Sequence, residues 1–367
     1  MDLYYNSNGN IWSENKSGTK LSVLPVGKTF LWGGQEVFIP AVYLGEPGVM
    51  LDICTKISVR DMIHFLEKWD KDRRLSVKTK EKFDQLDADN PSAREFTANL
   101  QLDGTALTNR MFGSIRWYPQ EILESDSVQD SGEKLENNKK AEELMRAYGC
   151  DRKCCWHFAR HIYDWPSLPI LTPTEISLSL QEHTFPVTAG YFTTVATASF
   201  SNISPGAEPS GIYSHFPAEM EITHPYTGQR FVLTLHSLDQ VRNSFTDTGA
   251  EDIIYPEYCQ ILSYGVSPET GRDLFDILDR QDGDQPRMKS SRDENSGEVC
   301  GPTAVFMAGK NPGPNGRSTC SALHFAPVDE VRWRVVFHVK EKEDMTVTFT
   351  DCLPPVSQIP QEAPPCA

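Results

Sequence analysis

Three of the nine cysteines and two of the nine histidines fall between Cys150 and His161, in the segment CDRKCCWHFARHIYDW (150–165). Thiolate and imidazole are the donors that zinc prefers, so metal binding is the first chemistry this spacing suggests. As a helix opened by Asp151 at its N-cap and stopped by Pro166, the segment sorts into two faces. Cys155, Phe158, Ile162 and Trp165 make a core-facing stripe, while Cys154, His157 and His161 share the adjacent face. Cys150, Cys154, His157 and His161 are therefore the first candidate ligand set, with zinc as the ion. CCWH is not the CxxC pair of a zinc finger, and finger ligand pairs stand a dozen or more residues apart. The competing expectations are that these cysteines pack as small apolar groups, or that one of them is a reactive thiol.

A second constellation, His215, Glu219 and His236, surrounds AEMEITHPYTGQRFVLTLH (218–236). A cupin-like metal site needs two histidines separated by one residue, yet Tyr213 stands where the first would be and Pro217 interrupts the strand. Glu219 and His236 are equally well explained as an exposed cross-strand pair of small energetic value.

Other motifs fail on spacing. GPTAVFMAGKN (301–311) does not carry the glycine-to-lysine interval of a phosphate-binding loop, and DILDRQDGDQ (276–285) places its acids at the wrong intervals for a calcium loop. The serines next to glycine, such as Ser210 and Ser296, lack the second glycine of a nucleophile elbow. No catalytic residue is assigned.

The elements that must position these residues are read from periodicity. Val49 to Ile57 is apolar on both parities, the pattern of a buried strand. Ser58 opens a helix with Asp61 three residues on, and Val59, Met62, Ile63, Leu66 and Trp69 recur at helical spacing, with His64 off that stripe. Phe96 to Leu102 and Met111 to Trp117 alternate and are expected to pair with each other. A second helix carries Ala141, Leu144, Met145 and Tyr148 and ends at Gly149, where a left-handed residue is wanted. With the helix at 151–165 it would form a helical hairpin.

From Thr172 onward the pattern is β. Ile176, Leu178 and Leu180 alternate inward; Met220 and Ile222 face Phe231, Leu233 and Leu235 across a turn at Pro225 to Gly228. Strands are expected at 304–308 and 321–326. A last hairpin runs from Val331–Val339 through KEKED to Met345–Phe349. Residues 1 to 28 read as a weakly ordered arm with one strand at 21–26.

The expected fold class is α+β: an N-terminal mixed α/β-meander domain (1–125), a charged linker and two-helix connector (126–166), a C-terminal antiparallel β-sandwich (167–352) and a proline-rich tail (353–367). At 367 residues, two or three domains are expected.

A formal net charge of −16 with pI near 5.0 repels phosphate backbones and anionic lipid, so neither nucleic acid nor membrane is expected as a partner. The start lacks an apolar run, no window approaches a membrane span, and nine scattered cysteines do not make a disulfide framework. A cytoplasmic chain with reduced thiols follows. The functional expectation is a non-enzymatic binding or assembly module acting through sheet loops or edges, on an unidentified protein or small-molecule partner. The alternative is a metal-dependent enzyme, with zinc or iron, using either constellation.

Overall fold

A computed structural model describes residues 3–5, 11–12, 18–69, 79–124, 139–195, 211–213, 215–242, 253–288 and 316–350. The expected linker at 126–138, the strand at 304–308 and the tail at 353–367 lie outside the described residues. In chain order the first strands are β1 (Tyr4–Tyr5), β2 (Thr19–Lys20), β3 (Ser22–Trp32), β4 (Gln35–Gly45) and β5 (Gly48–Ile57). They continue with β6 (Phe96–Leu102), β7 (Thr105–Ala106), β8 (Thr108–Trp117), β9 (Cys155–Asp164) and β10 (Ile176–Glu182). After them come β11 (Phe185–Val195), β12 (Gly211–Tyr213), β13 (Ala218–Thr223), β14 (Arg230–Arg242), β15 (Ile253–Ile254) and β16 (Tyr258–Ser267). The last are β17 (Phe275–Asp279), β18 (Arg287–Met288), β19 (Arg317–Cys320), β20 (Glu330–Val339) and β21 (Met345–Phe349). The α-helices among the described residues are α1 (Val59–Lys68), α2 (Lys80–Asp89), α3 (Gln120–Leu123) and α4 (Lys139–Tyr148). The protein is thus mostly β with a few helices, a β-rich α+β fold.

The chain divides into two compact units, one of Met1–Val77, Leu86–His183 and Lys340–Ala367, the other of Lys78–Gln85 and Thr184–Val339. The divisions expected at 125 and 166 fall inside the first of these.

In the first unit a five-stranded sheet runs in the order β3-β4-β5-β9-β8 and a four-stranded sheet in the order β21-β10-β6-β7. Inward residues of both build one hydrophobic cluster, with Val37, Ile39, Leu51, Ile53, Ala159 and Tyr163 from the larger sheet and Leu100, Leu178 and Phe349 from the smaller. The opposite face of the larger sheet is also covered: Ala141, Leu144 and Met145 of α4 pack with Cys54, Trp156 and Phe158. A central strand covered on both faces must be apolar on both parities, which explains the sequence of β5.

α1 begins as its sequence demands. The Ser58 hydroxyl accepts the Asp61 amide at 3.2 Å, and Met62, Phe65 and Leu66 face inward. Ser58→Ala should lower stability by about 1 kcal/mol, read from the shift of a urea unfolding midpoint. Gly149 ends α4 at φ 63° and the Cys150 amide returns to the Met145 carbonyl at 3.1 Å, the expected left-handed cap.

Five expectations need correction. The largest is the helix at 151–165, because residues 155–164 form β9, paired on both sides with β5 and β8. Asp151 caps a tight turn instead, accepting the Lys153 amide on its carboxylate at 3.0 Å. There is no helical hairpin. The helical stripe was a coincidence of a strand buried on both faces, where apolar residues fall on both parities.

Strands β6 and β8 do not pair: β6 joins β10 and β7, while β8 joins β9 in the other sheet. Nor do β20 and β21 form a hairpin, since β20 pairs with β11 and β17 and β21 with β10. The N-terminal arm is anchored, with β1 paired to β2 and Leu3, Tyr5 and Leu21 buried in a cluster with Tyr43 and Met50. A smaller shift concerns 321–326, where the strand lies earlier, at Arg317–Cys320.

The second unit holds two four-stranded sheets, β12-β11-β20-β17 and β13-β14-β16-β19. Val331, Trp333, Val335, Phe337 and Val339 are all buried, as the alternation predicts, and the Phe337 ring lies tilted 5.3 Å from that of Phe231 on the other sheet. The β13–β14 hairpin keeps its expected faces, with Met220 directly opposite Leu233. Its connection is longer than expected, six residues from His224 to Gln229, with Gly228 at φ 69°. Within this unit the start of α2 contributes acids: Asp84 meets buried Arg334 at 2.6 Å and Glu81 meets Arg280 at 3.1 Å.

Candidate functional site

The two constellations singled out by the sequence are not brought together as metal sites. On β9, His157 and His161 point to the side of the shared core while Cys154 precedes the strand and packs with the cluster on the other side. Four residues of extended chain separate the two histidines by roughly 13 Å, too far to share one ion. Cys150 lies with Cys54 on the α4 side.

Burial pushes His157 and His161 down to about 4, with Arg116 adding repulsion at His157. The His161 Nδ1 meets Asn109 Nδ2 at 3.1 Å, and its ring lies 6.0 Å from Phe112 and 5.8 Å from Phe96. In the second unit Glu219 faces Thr234, and His236 is the extra residue of the bulge between Leu235 and Ser237. His215, Glu219 and His236 are all exposed. Among the described residues no group of three or more His, Cys, Asp and Glu is placed to hold a metal ion.

The densest buried chemistry was not singled out by the sequence. Asp52 on β5 and Arg160 on β9 are direct cross-strand partners, joined by two bonds of 2.7 Å with side chains 3% and 2% exposed. Tyr148, the last residue of α4, donates to Asp52 and meets the Tyr43 hydroxyl at 3.0 Å. The guanidinium also lies 4.6 Å from the Trp12 ring and donates to the Ile11 carbonyl at 3.4 Å. Burial and the Asp52 charge hold the Tyr148 phenol protonated, and burial raises Tyr43 to about 12.

This arrangement is bidentate, satisfied and closed to water, so it fixes α4 and the N-terminal segment on the sheet rather than turning over substrate. The signal that could have found it is plain in retrospect: one acid in VMLDIC and one arginine in HFARHI, each inside an otherwise apolar strand.

Two surface features remain. An open groove of about 1040 Å³ lies beside α1, lined by Arg60, Asp61, His64, Lys68, Asp89 and Glu121. Lys68 and Asp89 pair across 2.7 Å there, and Asp89 also accepts the Trp69 indole at 2.6 Å. The second feature is the edge of β8. Among the described residues β8 pairs only with β9, and it carries Met111 at 37% and Phe112 at 54% exposure.

The fold and these surfaces define a β-rich α+β protein with a closed ionic lock in its first unit and a strand, β8, that has β9 as its one pairing partner among the described residues. No family model, curated protein or solved structure matches the chain. No described helix is long and apolar enough to cross a membrane.

Proposed function

We propose that the protein is a binding module of two β-sandwiches that receives an extended segment of a partner protein along the free edge of β8. The sandwich reading is supported by the core shared between the two sheets of the first unit and by the Phe231–Phe337 contact in the second. The observation that carries the binding reading is the difference between the two edges of the five-stranded sheet.

β3, at one edge, has the devices that block strand addition: Pro25, a register shift between Pro25 and Lys28, and Gly27 at φ 60°. β8, at the other, has neither proline nor lysine, and its exposed Met111 and Phe112 offer apolar contacts to side chains of an added strand.

Lysines on an edge strand oppose strand addition at little cost to the fold. A Met111→Lys, Ser114→Lys double variant, both at exposed positions, should retain about ten-fold less partner than the unaltered chain in a resin-bound retention assay. Equal retention by the two proteins, with matching unfolding curves, would place binding elsewhere.

A further inference from the structure

We propose that Cys54 and Cys150 form a reversible dithiol–disulfide pair, a site of oxidation by hydroperoxides. The two residues are 96 positions apart in sequence, yet both pack in the cluster between α4 and the sheet, where each thiol shifts the titration of the other. Cys54 is held on β5, opposite Phe158, with no exposure, whereas Cys150 is only partly buried. The left-handed Gly149 and the bond from the Cys150 amide to Met145 fix the direction from which Cys150 approaches.

The remaining cysteines of the crowded segment are engaged otherwise. Cys154 lies 3.6 Å from the Asp151 carboxylate, and Cys155 is buried on the far side of β9 with Ile57 and Met62. Interaction with Cys54 lowers the Cys150 thiol, while burial raises Cys54 and pushes Cys155 up to about 12. Cys150 is therefore the attacking thiolate and Cys54 the resolving thiol.

The chemistry balances in two steps. The Cys150 thiolate attacks the terminal oxygen of a hydroperoxide; the O–O bond breaks, an alkoxide or hydroxide leaves and takes up a proton, and Cys150 becomes a sulfenic acid. The Cys54 sulfur then attacks the Cys150 sulfur, an S–S bond forms, and the sulfenic hydroxyl departs with the Cys54 proton as water. An external dithiol reverses the bond through a mixed disulfide at the more exposed Cys150 sulfur. The closed form ties strand β5 covalently to the turn after α4.

The test treats the full-length reduced protein with hydrogen peroxide, then maps its peptides under non-reducing conditions by mass spectrometry. The expected product is a Cys54–Cys150 cross-linked peptide, lighter by two hydrogens than the pair and restored by dithiothreitol. Cys154→Ser should leave its yield unchanged, and Cys54→Ala should stop the reaction at a Cys150 sulfenic acid that dimedone traps. The proposal is overturned if Cys150 is found joined to Cys154, if it runs on to sulfinic acid while Cys54 stays a thiol, or if neither residue reacts. The wild-type map decides the matter even where Cys54→Ala fails to fold.

Discussion

Arg160→Leu should lower the stability of the protein by about 3–5 kcal/mol, because it leaves Asp52 buried without its cation. The side chains of this pair are 3% and 2% exposed, so water cannot take the place of the lost guanidinium. Two other contacts go with it, the stacking on Trp12 and the bond to the Ile11 carbonyl, so the N-terminal segment should loosen as well. The companion experiment separates the pair from its setting. In Asp52→Leu, Arg160→Leu the charge is removed along with its partner, and at least half of the lost stability should return, read from guanidinium unfolding curves. If the double variant is as unstable as the single one, the loss comes from packing around Arg160 and the ionic account is wrong.

Acid should destabilise the protein through His157 and His161. Both imidazoles have an ordinary value of 6.5 and a folded value pushed down to about 4 by burial. Between those values the unfolded chain binds protons that the folded chain refuses, so stability rises with pH across this window. The full contribution is present above pH 6.5 and is lost as the pH falls toward 4, on the order of 3 kcal/mol for each histidine. His161→Leu removes one of the two groups, and its stability should fall less steeply than wild type between pH 6.5 and pH 4. Parallel pH profiles for the two proteins would show that His161 is not buried in its neutral form.

Local elements were legible wherever one residue type has one structural use. Ser58 followed by Asp61 marks a helix start, Gly149 a helix end, and the alternation from Val331 to Val339 a strand; all three are found, although Arg334 and Val336 on the second face of that strand are buried as well. The same reading failed on β9 for a physical reason. A strand covered on both faces has no polar parity, so Cys155, Phe158 and Ile162 fit a helical stripe as well as a strand. Once the helix is replaced by a strand, Cys154, His157 and His161 no longer share a face, and the ligand set dissolves with it.

Pairing was less legible than the elements themselves. Neighbours in sequence suggested β6 with β8 and β20 with β21, but each strand buries its apolar face by joining a sheet assembled from distant segments. The Asp52–Arg160 lock shows the same limit, since its two halves lie 108 residues apart and only the β5–β9 register brings them opposite. The position of β8 at the end of its sheet among the described residues was hidden for the same reason, because an edge is a property of the sheet and not of the strand.

The binding reading rests on that edge, and position-specific crosslinking in the cell tests it most directly. A photoreactive amino acid placed at Phe112, and in a separate protein at exposed Tyr226, samples the β8 edge and a loop of the second unit. The prediction is a discrete adduct from position 112 that is lost when Met111→Lys and Ser114→Lys are added, with none from position 226. No adduct from 112, or the same adduct from both positions, would contradict strand addition at β8.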